Sequence, residues 1–262
     1  MTSAAMHIAR TGLDAQDTRM RVISNNLANV NTTGFKRDRA AFETLAYQVV
    51  TAPGAPSTSE TRYATGLNLG TGVRVQGTAR IDTQGSMQTT GNSLDLALDG
   101  DGYFQVQLPG GQLGYTRAGN FSRSPEGLLV TSEGYQVQPG ITVPEGATAI
   151  TIGTDGTVSA TVAGQTEASE LGQIQVANFA NAAGLQPTGD NYLTETAASG
   201  AANLGVAGLE GRGRVRQGML EASNVNVVEE LVDMIETQRA YEVNSKMIQA
   251  ADDMLKYVNQ NI

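Results

Sequence analysis

The chain has 262 residues, of which 40% are hydrophobic, and it carries a formal net charge of −9 without any cysteine or tryptophan. This length and apolar content are sufficient to bury a core in one or two domains. The lack of cysteine excludes disulfides, thiol catalysis and cysteine metal sites, and the acidic balance argues against nucleic acid as a general partner.

The N-terminal segment predicts one long helix, from about Ser3 to about Asn31, with Gly34 suited to a left-handed residue that ends it. Its apolar residues recur at alternating intervals of three and four, a spacing typical of helices that pack on other helices. Gln16 is the one polar member of this seam. The other members are Met6, Ala9, Leu13, Met20, Ile23, Leu27 and Val30.

Four asparagines lie within Asn25–Asn31, near the end of this predicted helix. Asparagine is a mediocre helix former, so one interpretation is a frayed, polar helix end. The interpretation that we favour is that these amides form hydrogen bonds with neighbouring subunits. They would then fix register, as a single buried polar residue does in coiled coils.

A β-rich region is predicted after the first helix. Residues 35–72 form a connector with a short packed element at Phe42–Val50 and an exposed loop at Pro53–Ser59, which is rich in proline and serine. Residues 73–199 alternate apolar and polar side chains in short runs between glycine turns, which predicts an all-β domain. A second connector, rich in glycine and alanine, covers residues 200–223.

A second long helix is predicted from about Asn226, with Glu229 and Glu230 favourably placed in its first turn. Its apolar seam has the same three-four spacing, and Asn244 is its one polar member. The other members are Tyr241, Ile248, Ala251, Leu255, Val258 and Ile262.

The charges of the two terminal segments are opposite. Residues 1–40 hold six basic and three acidic residues, and residues 219–262 hold eight acidic and three basic residues. Two solvated helix faces would explain the charge alone, but the two seams favour helices that lie side by side. The sequence therefore predicts an α+β fold in which residues 1–34 and 224–262 form a coiled-coil stem and residues 73–199 form an inserted β domain.

No constellation in the sequence supports catalysis, a cofactor or a metal. Asp99 and Asp101 lie in a glycine-rich turn that lacks the ligand spacing of a calcium loop. His7 is the only histidine, and we expect it to be exposed on the helix. A row of arginines is interpreted as an intersubunit salt bridge or a solvated strand face and not as a phosphate site. It consists of Arg212, Arg214 and Arg216.

The N-terminus has no Sec-type signal peptide, and no apolar window approaches the length of a membrane span. We therefore expect a soluble protein. It would either stay in the cytoplasm or leave by a route that needs no cleaved signal.

Several motifs along the chain carry a resemblance to a known family. They are Ser24–Lys36, Gly100–Val106, Tyr115–Phe121, Gly127–Thr131, Gln217–Asn226 and Gln238–Lys246. In this order they resemble the signatures of the bacterial flagellar rod and hook proteins, across essentially the whole chain. Within that family, the length and the segments 40–73 and 224–241 most resemble the distal rod members.

The resemblance implies a non-enzymatic subunit of a helical tube that transmits motor torque to the hook and encloses the export channel. It implies export without a cleaved signal through the flagellar type III apparatus and assembly in the periplasm. The implied partners are further copies of the chain, neighbouring rod and hook proteins, surrounding ring proteins and the export apparatus. A proximal rod or hook-like subunit is one alternative, and a secreted β-rich binding protein with a helical oligomerising stem is the other.

One subunit cannot bury both predicted seams alone, so we expect them to form the assembly interface. The residues expected there are Met6, Leu13, Met20, Ile23, Asn26, Leu27, Asn29, Val30, Leu231, Met234, Ile235, Tyr241, Ile248, Leu255 and Val258.

Overall fold

The computed structural model describes residues 2–56, 62–162 and 168–260 of the chain. Within these residues, a long helix is followed by nineteen short strands and then by a second long helix. The predicted α+β class is therefore confirmed. Helix α1 spans Thr2–Ala28 and helix α2 spans Val227–Gln260.

The first strands are β1 Asp38–Thr44, β2 Gln48–Thr51, β3 Leu67–Leu69, β4 Val73–Arg80, β5 Met87–Thr89, β6 Leu96–Asp99, β7 Tyr103–Gln107, β8 Leu113–Thr116, β9 Ser122–Arg123 and β10 Leu129–Val130. The later strands are β11 Ala147–Ile152, β12 Thr157–Val162, β13 Ser169–Gln173, β14 Gln175–Asn178, β15 Gln186–Gly189, β16 Tyr192–Thr194, β17 Asn203–Val206, β18 Arg214–Gln217 and β19 Met219–Glu221. Single 3₁₀ turns lie at Pro109–Gly111 and Ala182–Gly184.

The helix boundaries differ from the prediction at one end. Helix α1 ends at Ala28, within the asparagine-rich stretch, as the low helix propensity of asparagine explains. Gly34 has the expected positive φ of 68°, but it lies in the segment after the helix instead of capping it. Helix α2 begins directly after Asn226, with acidic residues in its first turn as predicted.

The described chain divides into two compact units. Unit 1 falls within residues 1–27, 38–79 and 227–262, and unit 2 falls within residues 28–37 and 80–226. This division differs from the predicted stem, connectors and β domain. Most of the first predicted connector groups with the helices, and the second connector groups with the β-rich unit.

Unit 2 is built around a six-stranded antiparallel sheet with the order β15-β16-β8-β7-β14-β17. Strand β7 runs through its middle, and successive side chains of a strand point to opposite faces. Phe104 and Val106 therefore join one fully buried cluster with Ile174, while Tyr103 joins a second cluster with Tyr115 on the other face. Both faces of the central strands are covered, which makes this sheet the core of the unit.

Unit 1 combines the two helices with short strands. Strands β2 and β3 form an antiparallel hairpin, and β1 pairs with β4. The predicted element at 42–50 corresponds to the end of β1 and the start of β2, but the prediction that it is packed is wrong, because Tyr47, Val49 and Val50 are exposed. The predicted loop at 53–59 follows β2, although its last three residues lie outside the described part of the chain.

Candidate assembly surface

Helices α1 and α2 contact each other inside unit 1 at intervals of seven residues. A β-carbon added at Gly12 would lie 3.0 Å from Asn244 Nδ2, so the helices approach closely there. Arg19 Nη2 donates to Asp233 Oδ1 at 2.9 Å. One heptad further along α1, Asn26 contacts α2 through a hydrogen bond. These contacts run in opposite directions along the two helices, so the helices are antiparallel.

Asn26 is the most buried of these contact residues on α1. Its Nδ2 donates to Glu230 Oε1 at 3.2 Å and to the Asp38 carbonyl at 2.9 Å, and its Oδ1 accepts from the Asp38 N–H at 3.0 Å. Asn26 is 2% exposed and Glu230 is 3% exposed. The amide that was expected to bind a neighbouring subunit is therefore engaged within its own chain.

The contact between α1 and α2 is polar for most of its length, and we refer to it as the polar seam. It is formed by Gly12, Arg19 and Asn26 of α1 with Glu230, Asp233 and Asn244 of α2. The buried Oε1 of nearby Gln16 has no hydrogen-bond partner among the described residues. The buried apolar residues in the described parts of these helices are Ala9, Ala15, Ile23 and Ala251. Three residues of the predicted seam, Ala9, Gln16 and Ile23, also lie at this contact. Leu13 and Met20 were predicted there as well, but the structure places the preceding residues, Gly12 and Arg19, at the contact instead.

The displaced heptad forms a half-buried apolar row along α1, which we call the α1 flank. It consists of Met6, Leu13, Met20 and Leu27. The row is straight because its members repeat every seven residues, and helices pack along such rows. These four residues belong to the predicted interface, and unit 1 leaves part of each side chain accessible.

Helix α2 carries a second apolar row that faces solvent, which we call the outer stripe. Its members recur at helical intervals with two gaps, one between Ile235 and Val243 and one between Met247 and Met254. Its members are Val228, Leu231, Val232, Ile235, Val243, Met247, Met254 and Tyr257, and all of them are exposed. Val228 to Tyr257 spans 30 residues, or about 44 Å of helix.

The structure distributes the other predicted interface residues over several environments. Tyr241 is exposed, and Met234 and Ile248 are half-buried on α2. Asn29 and Val30 lie in the segment after α1 that belongs to unit 2. The side chains of Leu255 and Val258 lie outside the described part of the structure, as does Ile262.

Sequence reasoning missed most of the outer stripe. It identified Leu231 and Ile235, but not Val228, Val232, Val243, Met247, Met254 or Tyr257. The signal was present, because these residues fall on a second face of the same helix. A search for one seam per helix overlooks a second.

The β2–β3 hairpin adds another exposed apolar surface to unit 1. Tyr47, Val49, Val50, Leu67 and Leu69 are each between 46% and 61% exposed. An isolated two-stranded hairpin is marginally stable in water, and single monomers rarely expose contiguous apolar patches of this kind. Unit 1 therefore has the surface composition of a protein that associates.

Other candidate chemistry has structural explanations. Arg212 is buried, where its guanidinium donates to Asn203 and to Glu210 Oε2, and Arg216 pairs with Asp99 Oδ2 at 2.8 Å. His7 is exposed on α1. Among the described residues, no group of three or more His, Asp or Glu side chains is placed to hold a metal ion. Within the same residues, neither helix is both long and apolar enough to cross a membrane.

Three family models match the chain in sequence order. Residues 6–36 match the flagella basal body rod protein model, and residues 97–160 match the D1 domain of the flagellar hook protein FlgE/F/G. Residues 216–261 match the C-terminal part of the flagellar basal body rod FlgEFG proteins.

Relatives match over nearly the full length. The chain is 50% identical to the flagellar basal-body rod protein FlgG of Buchnera aphidicola subsp. Acyrthosiphon pisum over 256 residues, which covers 98% of each chain. The chain belongs to the flagellar basal-body rod and hook protein family. The resemblance seen in the sequence motifs is thereby confirmed.

Comparison with two proteins of one organism shows which member of the family the chain resembles more. The chain is 48% identical to the FlgG of Caulobacter vibrioides over 257 residues, with 98% of each chain covered. It is 36% identical to the FlgF of the same organism over 244 residues, with 90% of each chain covered. The higher identity and coverage place this rod protein with FlgG, as a structural subunit of the distal rod in the flagellar basal body.

Proposed function

We propose that this rod subunit polymerises with copies of itself into the helical shaft of the distal rod, through the apolar faces of α1 and α2. The observation that carries the proposal is the outer stripe, because it leaves eight large apolar side chains of one helix in solvent. Soluble monomers do not normally expose rows of this length. A second copy of the chain is the occupant that best fits them.

The α1 flank of a neighbouring subunit is the proposed partner of the outer stripe. Both rows have helical spacing, so they can interlock as side chains of one helix fit between those of another. Helix α1 itself carries three basic and two acidic residues and α2 carries seven acidic and three basic residues, so association between them is favoured electrostatically. The contact joins different surfaces of the two subunits, and contacts of this kind build open polymers instead of closed dimers.

In the assembled shaft, the terminal helices form a coiled-coil stem around the export channel, and the shaft transmits motor torque to the hook. The subunit reaches the periplasm through the flagellar export apparatus and meets neighbouring rod, hook and ring proteins there. Family membership and the exposed helix faces support this assignment. A proximal rod or hook-like subunit of the same family would differ in its axial position.

Cysteine cross-linking tests the contact, because the wild-type chain has no cysteine that could react. One batch of subunits carries Leu13→Cys and another carries Val243→Cys, so a disulfide between them can form only between subunits. Val232→Cys and Met254→Cys sample the register along the stripe. We expect heterodimers with at least one stripe position in assembled rods.

Ser245→Cys is the matched control, since Ser245 lies two residues after Val243 and therefore on the opposite side of the same helix. Equal cross-linking of Leu13→Cys to Ser245→Cys and to the stripe positions would contradict the proposed pairing. The position of the shaft is tested separately, by electron microscopy of ring-free hook–basal bodies labelled with an antibody against residues 80–200. Label on the hook or close to the inner membrane would refute the distal position.

A further inference from the structure

A buried carboxylate in unit 2 receives donors from three distant parts of the chain. Glu221 is 1% exposed. Its Oε1 accepts from Lys36 Nζ at 2.6 Å and from the Gly85 N–H at 2.9 Å, and its Oε2 accepts from Arg117 Nη1 at 3.2 Å. Lys36 Nζ also donates to the Thr83 carbonyl at 2.8 Å. The carboxylate therefore binds the segment that follows α1 to the interior of unit 2.

Further hydrogen bonds join the same two segments. The Gly34 N–H donates to the Glu221 carbonyl at 2.8 Å. Asn224 Oδ1 accepts from the Arg37 N–H at 2.8 Å, and Asn224 Nδ2 donates to the Ile81 carbonyl at 2.7 Å. Residues 34–37 and 221–224 are thus connected at several points, with Glu221 at the centre.

Glu221 lies among several other buried or partly buried charged groups that compensate one another. The side chains of Lys36 and Arg117 are 3% and 4% exposed, and both contact this one carboxylate. Asp82 also interacts with Lys36, and it accepts a hydrogen bond from the Tyr103 hydroxyl at 3.0 Å. Loss of the Glu221 charge would leave two buried cations without their shared counterion, which is strongly unfavourable. Loss of Lys36 would leave Glu221 paired with Arg117 alone.

We propose that Glu221, with Lys36 and Arg117, is a latch that holds the segments 28–37 and 217–226 together, so that they detach together or not at all. Along the chain these segments lead directly into α1 and α2. Glu221 is a positioning residue at the centre of this set of contacts, which also includes the backbone hydrogen bonds made by Gly34 and Arg37. One consequence, that subunits with an open latch add poorly to the rod, rests on the proposed function.

Hydrogen exchange of the full-length monomer tests the latch. Lys36→Met leaves Glu221 with Arg117 and Gly85, and it removes the ion pair between the segments together with the Lys36 hydrogen bond to the Thr83 carbonyl. The backbone hydrogen bonds of Gly34 and Arg37 remain. We expect amide exchange to rise about 10- to 100-fold in both segments, because the loss of a charge-assisted hydrogen bond has an effect of this order on local opening. Glu221→Gln, which leaves two buried cations opposite a neutral amide, is expected to have a larger effect on the same amides.

Asp99→Asn is the matched control, since it removes the same charge from an exposed pair with Arg216 in the same unit. We expect it to leave exchange in both segments unchanged. Faster exchange in 28–37 alone for Lys36→Met would overturn the latch, because the segments would then open independently. If Glu221→Gln does not fold, Lys36→Met still decides between these outcomes. The readout uses monomers, so a failure of the rod-assembly experiments does not affect it.

Discussion

Replacement of Val243 by aspartate tests the outer stripe at one residue. Val243 is 57% exposed in the subunit, so Val243→Asp removes little buried surface from unit 1 itself. In an assembled rod, covering the remaining surface of the valine contributes about 1 kcal/mol of the ~1.5–3 kcal/mol available for full burial. The aspartate instead loses its hydration, which costs several kcal/mol more. A total of roughly 4 kcal/mol lowers the association constant of each contact about 1,000-fold.

The assay compares the subunit concentration at which polymers form, measured by sedimentation, for wild type and variant. Circular dichroism of the unassembled subunit verifies that unit 2 remains folded. Ser245→Asp is the control, because it adds the same charge to a polar position of α2 on the side opposite Val243. We expect Val243→Asp to abolish assembly at concentrations where Ser245→Asp assembles. Polymerisation of Val243→Asp at the wild-type concentration would refute the docking of this stripe.

Three other substitutions test separate features. Ile248→Asp places a charge at a half-buried position of α2 and should block assembly while unit 2 remains folded, which limited proteolysis can check. Gly34→Ala should lower the free energy of unfolding of unit 2 by about 2–4 kcal/mol in thermal unfolding, because the φ of Gly34 is 68° and a β-carbon there would lie 2.5 Å from the Arg117 backbone. Gly200→Ala is the control: its φ is 76°, but a β-carbon would enter open space, so the free energy of unfolding should fall by less. Burial lowers the pKa of Lys36 below 10.5, although Glu221 acts in the opposite direction. The unfolded chain therefore binds the Lys36 proton more strongly than the folded chain does. The free energy of unfolding should consequently rise with pH in the alkaline range below 10.5. Lys36→Met should remove that slope from titrations of unfolding by urea.

The sequence was sufficient to predict both helices, because the apolar spacing of each depends only on local residues. It was not sufficient to predict which face of α1 meets α2. Leu13 and Gly12 are neighbours in the sequence, and hydrophobic spacing favours Leu13. The structure brings Gly12 to Asn244 instead, since a residue without a side chain permits close approach of the helices. That preference depends on the partner helix, which no local pattern encodes.

The contacts of the latch could not be predicted from the sequence, for a different reason. Lys36 and Glu221 are 185 residues apart, and each stands in a motif that also fits an exposed loop. Spacing within a segment gives no information on which distant charges are buried together. The family motifs Ser24–Lys36 and Gln217–Asn226 contained both residues, but a motif records which residues recur and not which of them touch.

The arrangement of polar and apolar residues in unit 1 is the reverse of that in a self-sufficient helical pair. Its inner contact contains the Arg19–Asp233 ion pair and the Asn26–Glu230 hydrogen bond, which contribute little net stability because the unfolded chain exchanges them for bonds to water. Its large apolar side chains lie on the outside of α2. The polar seam therefore specifies how the two helices align, whereas most of the hydrophobic free energy of these helices becomes available only when another subunit covers them. One face of α2 thus sets the alignment of the two helices, and another face of the same helix is available for association. A subunit can therefore fix its own helix alignment while the apolar side chains on its outer surface stay exposed.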